Sequence, residues 1–204
     1  DGIILRTQLT PIFDEFDIDV ALQGHDHTYS RSYQLSGDGK EHTAYDKSNA
    51  YGEDYLDQNN CYIINSDLVT GTIVDPEGTV YMEANSSTGS KFYELIPVRQ
   101  DYIAERSQTW TPSYSVINMT ETAITITTYD ADTNEVLEGS SAYTIVKKAD
   151  NSALTEAVEA AKNKIADSTQ YTKESVAKVN EAIKNAEEVI ANDESSSDTI
   201  AEAT

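Results

Sequence analysis

His25 and His27 are the residues in this chain whose type and spacing most directly suggest chemistry. They belong to the string Gly24-His25-Asp26-His27, which follows the apolar run Ile18-Asp19-Val20-Ala21-Leu22 and leads into Thr28-Tyr29-Ser30-Arg31. A strand giving way to a loop is a common place for a metal site. On an extended backbone successive side chains alternate, so His25 and His27 are expected to project the same way with Asp26 turned away. They can then address one metal ion or two neighbouring ones. Neutral imidazole is the commonest metal ligand near neutral pH, and its second nitrogen needs a partner that fixes the tautomer. Asp26 or a backbone carbonyl can serve. Gly24, lacking a Cβ, is expected to let the chain turn sharply. Histidines at this spacing also occur as surface residues or as hydrogen-bonded core residues.

The elements needed to position such a loop are legible around it. A short helix is expected near Thr7 to Phe16, with Pro11 in its tolerant first turn. Ser36 to Asn60 lacks periodicity and reads as a long surface loop; its His42 is a possible proton donor, more simply read as solvated. Strand signals return at Cys61-Tyr62-Ile63-Ile64-Asn65, Thr72-Ile73-Val74 and Thr79-Val80-Tyr81-Met82-Glu83, with Asp75-Pro76-Glu77-Gly78 as a turn. Further strands are expected over Tyr114 to Met119, Ala123 to Tyr129 and Ser141 to Lys147. Asp130-Ala131-Asp132-Thr133-Asn134 imitates the start of a calcium-binding EF-hand loop. Glu135 stands where that loop needs glycine and Ser141 where it needs a bidentate glutamate, so a hairpin turn is expected instead.

The stretch from Leu9 to Arg31 resembles the last metal-ligand block of calcineurin-like metallophosphoesterases, with the purple acid phosphatase branch closest. The run Gly78 to Lys91 is similar to the strand and glycine-serine loop that follow the site in that family. The resemblance implies a two-metal hydrolase of phosphate monoesters using zinc, iron or manganese, with His25 on one metal and His27 on the other. Tyr29 and Arg31 become candidates to line the substrate pocket or to brace it, and for Arg31 a salt bridge beneath the loop is as plausible as a phosphate contact. The family's other ligand blocks, Asp-x-His, Gly-Asp-x-x-Asp and Gly-Asn-His, are absent from the chain, and the further histidine that the family places upstream has no counterpart before His25. The chain therefore reads as a C-terminal fragment, inactive alone, with the remaining ligands upstream. Residues 1–149 are assigned to the C-terminal portion of a metallophosphoesterase β-sandwich.

Near Asp150 the composition shifts to Ala, Glu and Lys, and the apolar spacing changes from two to a helical period. Leu154, Val158, Ala161 and Ile165 share one face; Val176, Val179, Ile183, Ala186 and Ile190 share another. Residues 150–204 are expected to form an antiparallel helical hairpin joined at Ser168-Thr169-Gln170, with Ser152 and Thr172 as N-caps and a truncated third helix from Ser195-Ser196-Ser197-Asp198. The apolar faces left by that truncation are expected to fray, self-associate or dock. Tyr171-Thr172-Lys173-Glu174-Ser175 matches the link of FIVAR-type repeats of bacterial surface proteins. That resemblance implies an extracellular or cell-surface setting in a Gram-positive bacterium, as a spacer or a module facing cell-wall carbohydrate. The fold class expected for the whole chain is α+β.

Composition narrows the partners. A net charge of −22 disfavours nucleic acid and anionic membranes, and no apolar run is long enough to span a bilayer. Cys61 is the only cysteine, so no internal disulfide is possible, and it reads as a small buried residue. A non-catalytic adhesion or carbohydrate-binding protein built on a phosphoesterase-like scaffold is the competing reading.

Overall fold

The computed structural model of the chain describes residues 2–40, 61–166, 170–192 and 195–204. His42 lies outside the described residues, as do Ser168 and Thr169 of the expected helical link. The architecture is mixed α+β, as the sequence implies. It divides into two compact units, Asp1–Asn118 with Thr125–Ile145, and Met119–Ile124 with Val146–Thr204.

In the first unit, helix α1 (Gly2–Glu15) begins earlier than its apolar spacing suggests, so Pro11 lies inside the helix and not in its first turn. Proline removes one N–H from the helical ladder. The helix nevertheless continues, with Phe16 N–H donating to Ile12 O at 3.1 Å. It ends where Asp17 takes φ 49° and Ile18 N–H donates to Phe13 O at 3.0 Å. The chain then enters β1 (Val20–Gln23), β2 (Tyr29–Ser32) and β3 (Gln34–Gly37). After the undescribed segment come β4 (Tyr62–Ser66), β5 (Gly71–Val74), β6 (Val80–Ala84), β7 (Ile103–Ser107), β8 (Ser113–Met119), β9 (Ala123–Asp130) and β10 (Tyr143–Val146).

Four strands form a sheet in the order β1-β6-β2-β7 and four more in the order β5-β10-β9-β8, while β3 and β4 pair separately. β1 runs parallel to β6, with Val20 opposite Val80 and Gln23 opposite Glu83, whereas β2 is antiparallel to both β6 and β7. This directionality matters for the site. The carboxyl ends of β1, β6 and β7 and the amino end of β2 all meet at one end of the first sheet. Its interior side chains include Tyr29, Val80, Met82 and Ala104, all buried.

The turn at Asp75 to Gly78 is positioned by backbone conformation, with Asp75 at φ 48° and Gly78 at φ 87°. A Cβ on Gly78 would lie 2.5 Å from Leu35 O and 2.6 Å from its carbonyl carbon. Leu35 and Thr79 exchange two backbone hydrogen bonds there, at 3.0 and 2.7 Å. Gly78→Ala is therefore expected to destabilise the first unit by more than the ~1 kcal/mol of an ordinary left-handed glycine replacement, since the obstacle is backbone. Urea denaturation compares the two proteins, and equal midpoints would contradict this placement of the turn.

The EF-hand-like string forms a turn after β9. Asp130 Oδ1 accepts from the N–H groups of Asp132 and Thr133 at 2.9 and 3.0 Å, and Oδ2 accepts from Thr111 Oγ1 at 2.5 Å. Asn134 takes φ 59°. The Thr111 hydroxyl and these N–H groups hold the Asp130 carboxyl below its ordinary range. A depressed carboxyl contributes stability above its unfolded pKa and loses it as pH falls through the folded value. Asp130→Asn is thus expected to flatten the acid limb of the stability–pH curve, read from thermal midpoints between neutral and acid pH; a superimposable limb would refute the assignment.

In the second unit, α2 (Ser152–Ala166), α3 (Lys173–Ala191) and α4 (Ser197–Ala203) share one core of Leu154, Val158, Ile183, Ala186 and Ile200. Thr172 caps α3, its hydroxyl accepting from Ser175 N–H at 3.2 Å. At α2 the side-chain acceptor is Asp150, whose Oδ1 accepts from Ser152 N–H at 2.9 Å, so Ser152 is the first helical residue and not the cap. The short third helix is closed by a Ser196 cap and by Glu121 Oε1, which accepts from Ser197 N–H at 2.9 Å. A carboxylate there favours the positive end of the helix dipole. No helix among the described residues is long and apolar enough to cross a membrane.

Candidate functional site

The loop between β1 and β2 carries both histidines, and its geometry is less extended than alternation along a strand implies. β1 ends at Gln23, and residues 25–28 form bends. Gly24 has no positive φ; the left-handed position is His25 itself, at φ 110°. A non-glycine residue held there stores backbone strain, which is concentrated in proteins at ligand-binding positions. The His25 side chain is 91% exposed, with Nδ1 3.3 Å from Asp26 Oδ1.

His27 is held from several sides. Its Nδ1 makes a 2.7 Å hydrogen bond with Lys91 O, and its ring lies 5.3 Å from that of Tyr93. A carbonyl only accepts, so Nδ1 carries the proton and Nε2 keeps the free lone pair. A backbone carbonyl fixing one nitrogen so that the other can ligate is the arrangement found around metal-binding histidines. The Gln108 amide ties three segments together. Its Nε2 donates to His27 O at 2.7 Å and to Tyr93 O at 2.6 Å, and its Oε1 accepts from Trp110 N–H at 3.0 Å.

Glu83, at the end of β6, accepts from Asp26 N–H at 2.6 Å. Burial raises its carboxyl above the ordinary range, and the hydrogen bond from Asp26 N–H opposes the rise. Asn85 follows at φ 63°, its N–H donating to Thr28 O at 3.1 Å. Among the described residues no group of three or more His, Cys, Asp or Glu side chains converges as a metal site would require.

Tyr29 and Arg31 lie beneath this loop, 2% and 1% exposed. Tyr29 donates its hydroxyl to Glu105 Oε2 at 3.2 Å, and burial raises its phenol pKa. Arg31 Nη2 lies 3.2 Å from the same oxygen and also donates to Val69 O, while its guanidinium carbon sits 4.2 Å from the centre of the Tyr143 ring. The polar ends of both side chains thus meet at the Glu105 carboxylate.

A cavity of about 230 Å³ lies at the far end of β1 and β6, lined by Phe13, Asp14, Ile18 and Thr79 among others. The histidine loop is at the opposite end of those strands and is open to solvent.

No protein-family profile matches the chain. No curated protein sequence matches it either. Among solved structures the chain is similar to a purple acid phosphatase isolated from yellow lupin (Lupinus luteus) seeds, at 11% identity and a TM-score of 0.46. The match covers 68% of this chain and 19% of that one, so the chain spans about a fifth of that protein's length.

Glu83, Lys91, Gln108 and Trp110 were not marked out by sequence as site residues. Glu83 and Lys91 carried a signal, since they fall within the strand and loop from Gly78 to Lys91. Gln108 and Trp110 carried none, because only the β2–β7 pairing brings the end of β7 beside the histidine loop.

Proposed function

We propose that this chain is the closing part of a two-metal phosphoesterase similar to purple acid phosphatases, acting on phosphate monoesters, in which His25 and His27 each ligate one of the two metals. The observation that carries this reading is the Nδ1 bond of His27 to Lys91 O, which reserves Nε2 for a ligand at the open end of the first sheet. Imidazole donors suit zinc, iron and manganese. When bound, such ions polarise a phosphoryl oxygen and orient the ester. The chain's own residues hold the ligands in place: Lys91 O fixes the His27 tautomer, Gln108 fixes the His27 backbone, and Tyr29, Arg31 and Glu105 brace the strand that follows. Two imidazoles complete only part of a two-metal ligand set, so the 204-residue chain alone is expected to show no metal-dependent hydrolysis of p-nitrophenyl phosphate.

Calorimetric titration with zinc tests the reading. Micromolar binding that disappears in the His25→Ala/His27→Ala double variant is expected; binding that survives in the variant, or none in the parent chain, would overturn the ligand assignment. The helical unit we read as a FIVAR-like spacer of an extracellular, cell-surface protein. Its support is the Thr172 cap inside the Tyr171 to Ser175 string and the single core shared by three helices.

A further inference from the structure

Beside the histidine loop stands the chain's only tryptophan, in a conformation that a tryptophan does not favour. Trp110 takes φ 61° and is 54% exposed, so it neither fills the core nor relaxes its backbone. Glycine would occupy this position without strain. A bulky ring kept at positive φ and half in solvent is an outlier that points to a role outside folding.

The surroundings fix where that ring stands. Gln108 Oε1 holds the Trp110 N–H, and the Gln108 Nε2 of the same amide holds His27 O, so one side chain separates the backbone of the ring from the backbone of the proposed ligand. Phe92 meets Trp110 edge to face, with centroids 6.2 Å apart and planes at 68°. The neighbouring Tyr93 lies against the His27 ring. Gly89, at φ 66°, lets this loop close, since a Cβ there would stand 2.9 Å from Pro112 Cγ. With the residue 54% exposed, the indole keeps a partly open aromatic surface, on a segment whose backbone is tied through Gln108 to that of His27.

Resting on the phosphoesterase reading above, we infer that Trp110, supported by Phe92, is a specificity residue that stacks on a planar aromatic group carried by the phosphate ester. An ester whose phosphate sits at His25 and His27 must lead its organic part away along one of the loops at this end of the sheet. The loop bearing Trp110 offers that part a flat π surface. Stacking of a planar ring on an aromatic side chain strengthens binding by about tenfold toward the lower end of its usual range. An aryl phosphate and a nucleoside monophosphate share this chemistry.

The zinc-loaded full chain provides the test through two matched pairs of ligands. Phenylphosphonate is compared with methylphosphonate, and adenosine 5′-monophosphate with ribose 5-phosphate. Binding is followed by calorimetry and by Trp110 fluorescence, which has no other indole to obscure it. The expected result is a preference of about tenfold for the aromatic member of at least one pair, with a change in Trp110 emission. Whichever pair shows it identifies the aryl or the nucleoside source. Trp110→Gly removes the ring and accepts the left-handed backbone, so it is expected to fold and to bind methylphosphonate and ribose 5-phosphate as before, with the preference gone. Trp110→Phe, which keeps a flat ring, is expected to retain part of it. Equal binding within both pairs, no binding of any of the four, or a preference that survives Trp110→Gly would overturn the inference. Zinc titration of the same proteins keeps the two readings apart, because no zinc binding by the parent chain, or binding that survives His25→Ala/His27→Ala, strikes the metal reading, whereas zinc bound without aromatic preference strikes this one alone.

Discussion

Glu105→Leu is expected to cost the first unit about 3–5 kcal/mol, because it leaves the Arg31 guanidinium buried without its counter-charge. The Arg31 side chain is 1% exposed and that of Glu105 10%, so solvent screens this pair very little. Glu105 also gathers the Tyr29 hydroxyl, the Ser141 N–H at 3.2 Å and the Ser141 hydroxyl, which gives its carboxylate a full set of donors. Arg31 keeps carbonyl contacts to Ser32 and Val69 and the face of Tyr143, but these do not neutralise it. Its Nε is buried with no acceptor, so the guanidinium already tolerates one unmet donor. Replacing both members, as Arg31→Met/Glu105→Leu, is expected to recover most of the loss, since an apolar pair of similar volume avoids desolvating two charges. Urea denaturation followed by Trp110 fluorescence measures the first unit, and a double-mutant cycle isolates the pair. Additive single losses, or single losses below about 1 kcal/mol, would show that the bridge is not what holds β2 against β7.

That pair bears on the site because β2 begins two residues after His27 and its register with β7 shifts between Arg31 and Ser32. Sequence left Arg31 between a phosphate contact and a salt bridge because arginine chemistry suits both. The choice depends on Glu105, which lies far along the chain and meets Arg31 only through strand pairing. The same limit applied to His25. Its type and spacing were legible, but the reading of an extended pair facing one way rested on strand geometry, and the bend with φ 110° at His25 breaks that alternation. Local pattern could not supply the backbone hydrogen bonds from Asp26 to Glu83 and from Asn85 to Thr28 that shape the loop.

Strands with alternating or continuous apolar residues were legible, and β4, β5, β6, β8, β9 and β10 fall within a residue or two of their expected positions. β2, β3 and β7 were not, and the reason is chemical. Tyr29-Ser30-Arg31-Ser32, Gln34-Leu35-Ser36-Gly37 and Ile103-Ala104-Glu105-Arg106-Ser107 place polar residues at interior positions. Arg31, Ser32, Gln34 and Ser107 are all buried. Hydrophobic periodicity fails where the interior is satisfied by ion pairs and hydrogen bonds. Pro11 misled in the other direction, since a helix can absorb one missing donor when the turns on either side persist.

Leu154→Ala is expected to unfold the helical unit while leaving the first unit intact. Leu154 is 1% exposed and shares its core with Val158, Ile183, Ala186 and Ile200, around which only partly buried side chains such as Ile165, Val179 and Val189 pack. A buried leucine truncated to alanine costs about 2–5 kcal/mol, lost transfer energy together with the cavity left behind. A single small helical core rarely supplies more than about 3–5 kcal/mol in total, so the loss is comparable to the whole stability. The ion pairs of Lys162 with Glu159 and Glu187, 3.0 Å each, stand in solvent and do little to offset it. The measurement is the helical far-UV dichroism of the variant at room temperature, with Trp110 emission as the internal control for the first unit. Ile200→Ala provides the companion test of the short third helix. A clear but smaller loss there is expected, since Ile200 closes the same core from a helix of only seven residues. No change in Ile200→Ala, with Leu154→Ala still folded, would mean that the two longer helices stand as a hairpin without the third, as their apolar spacing alone had suggested.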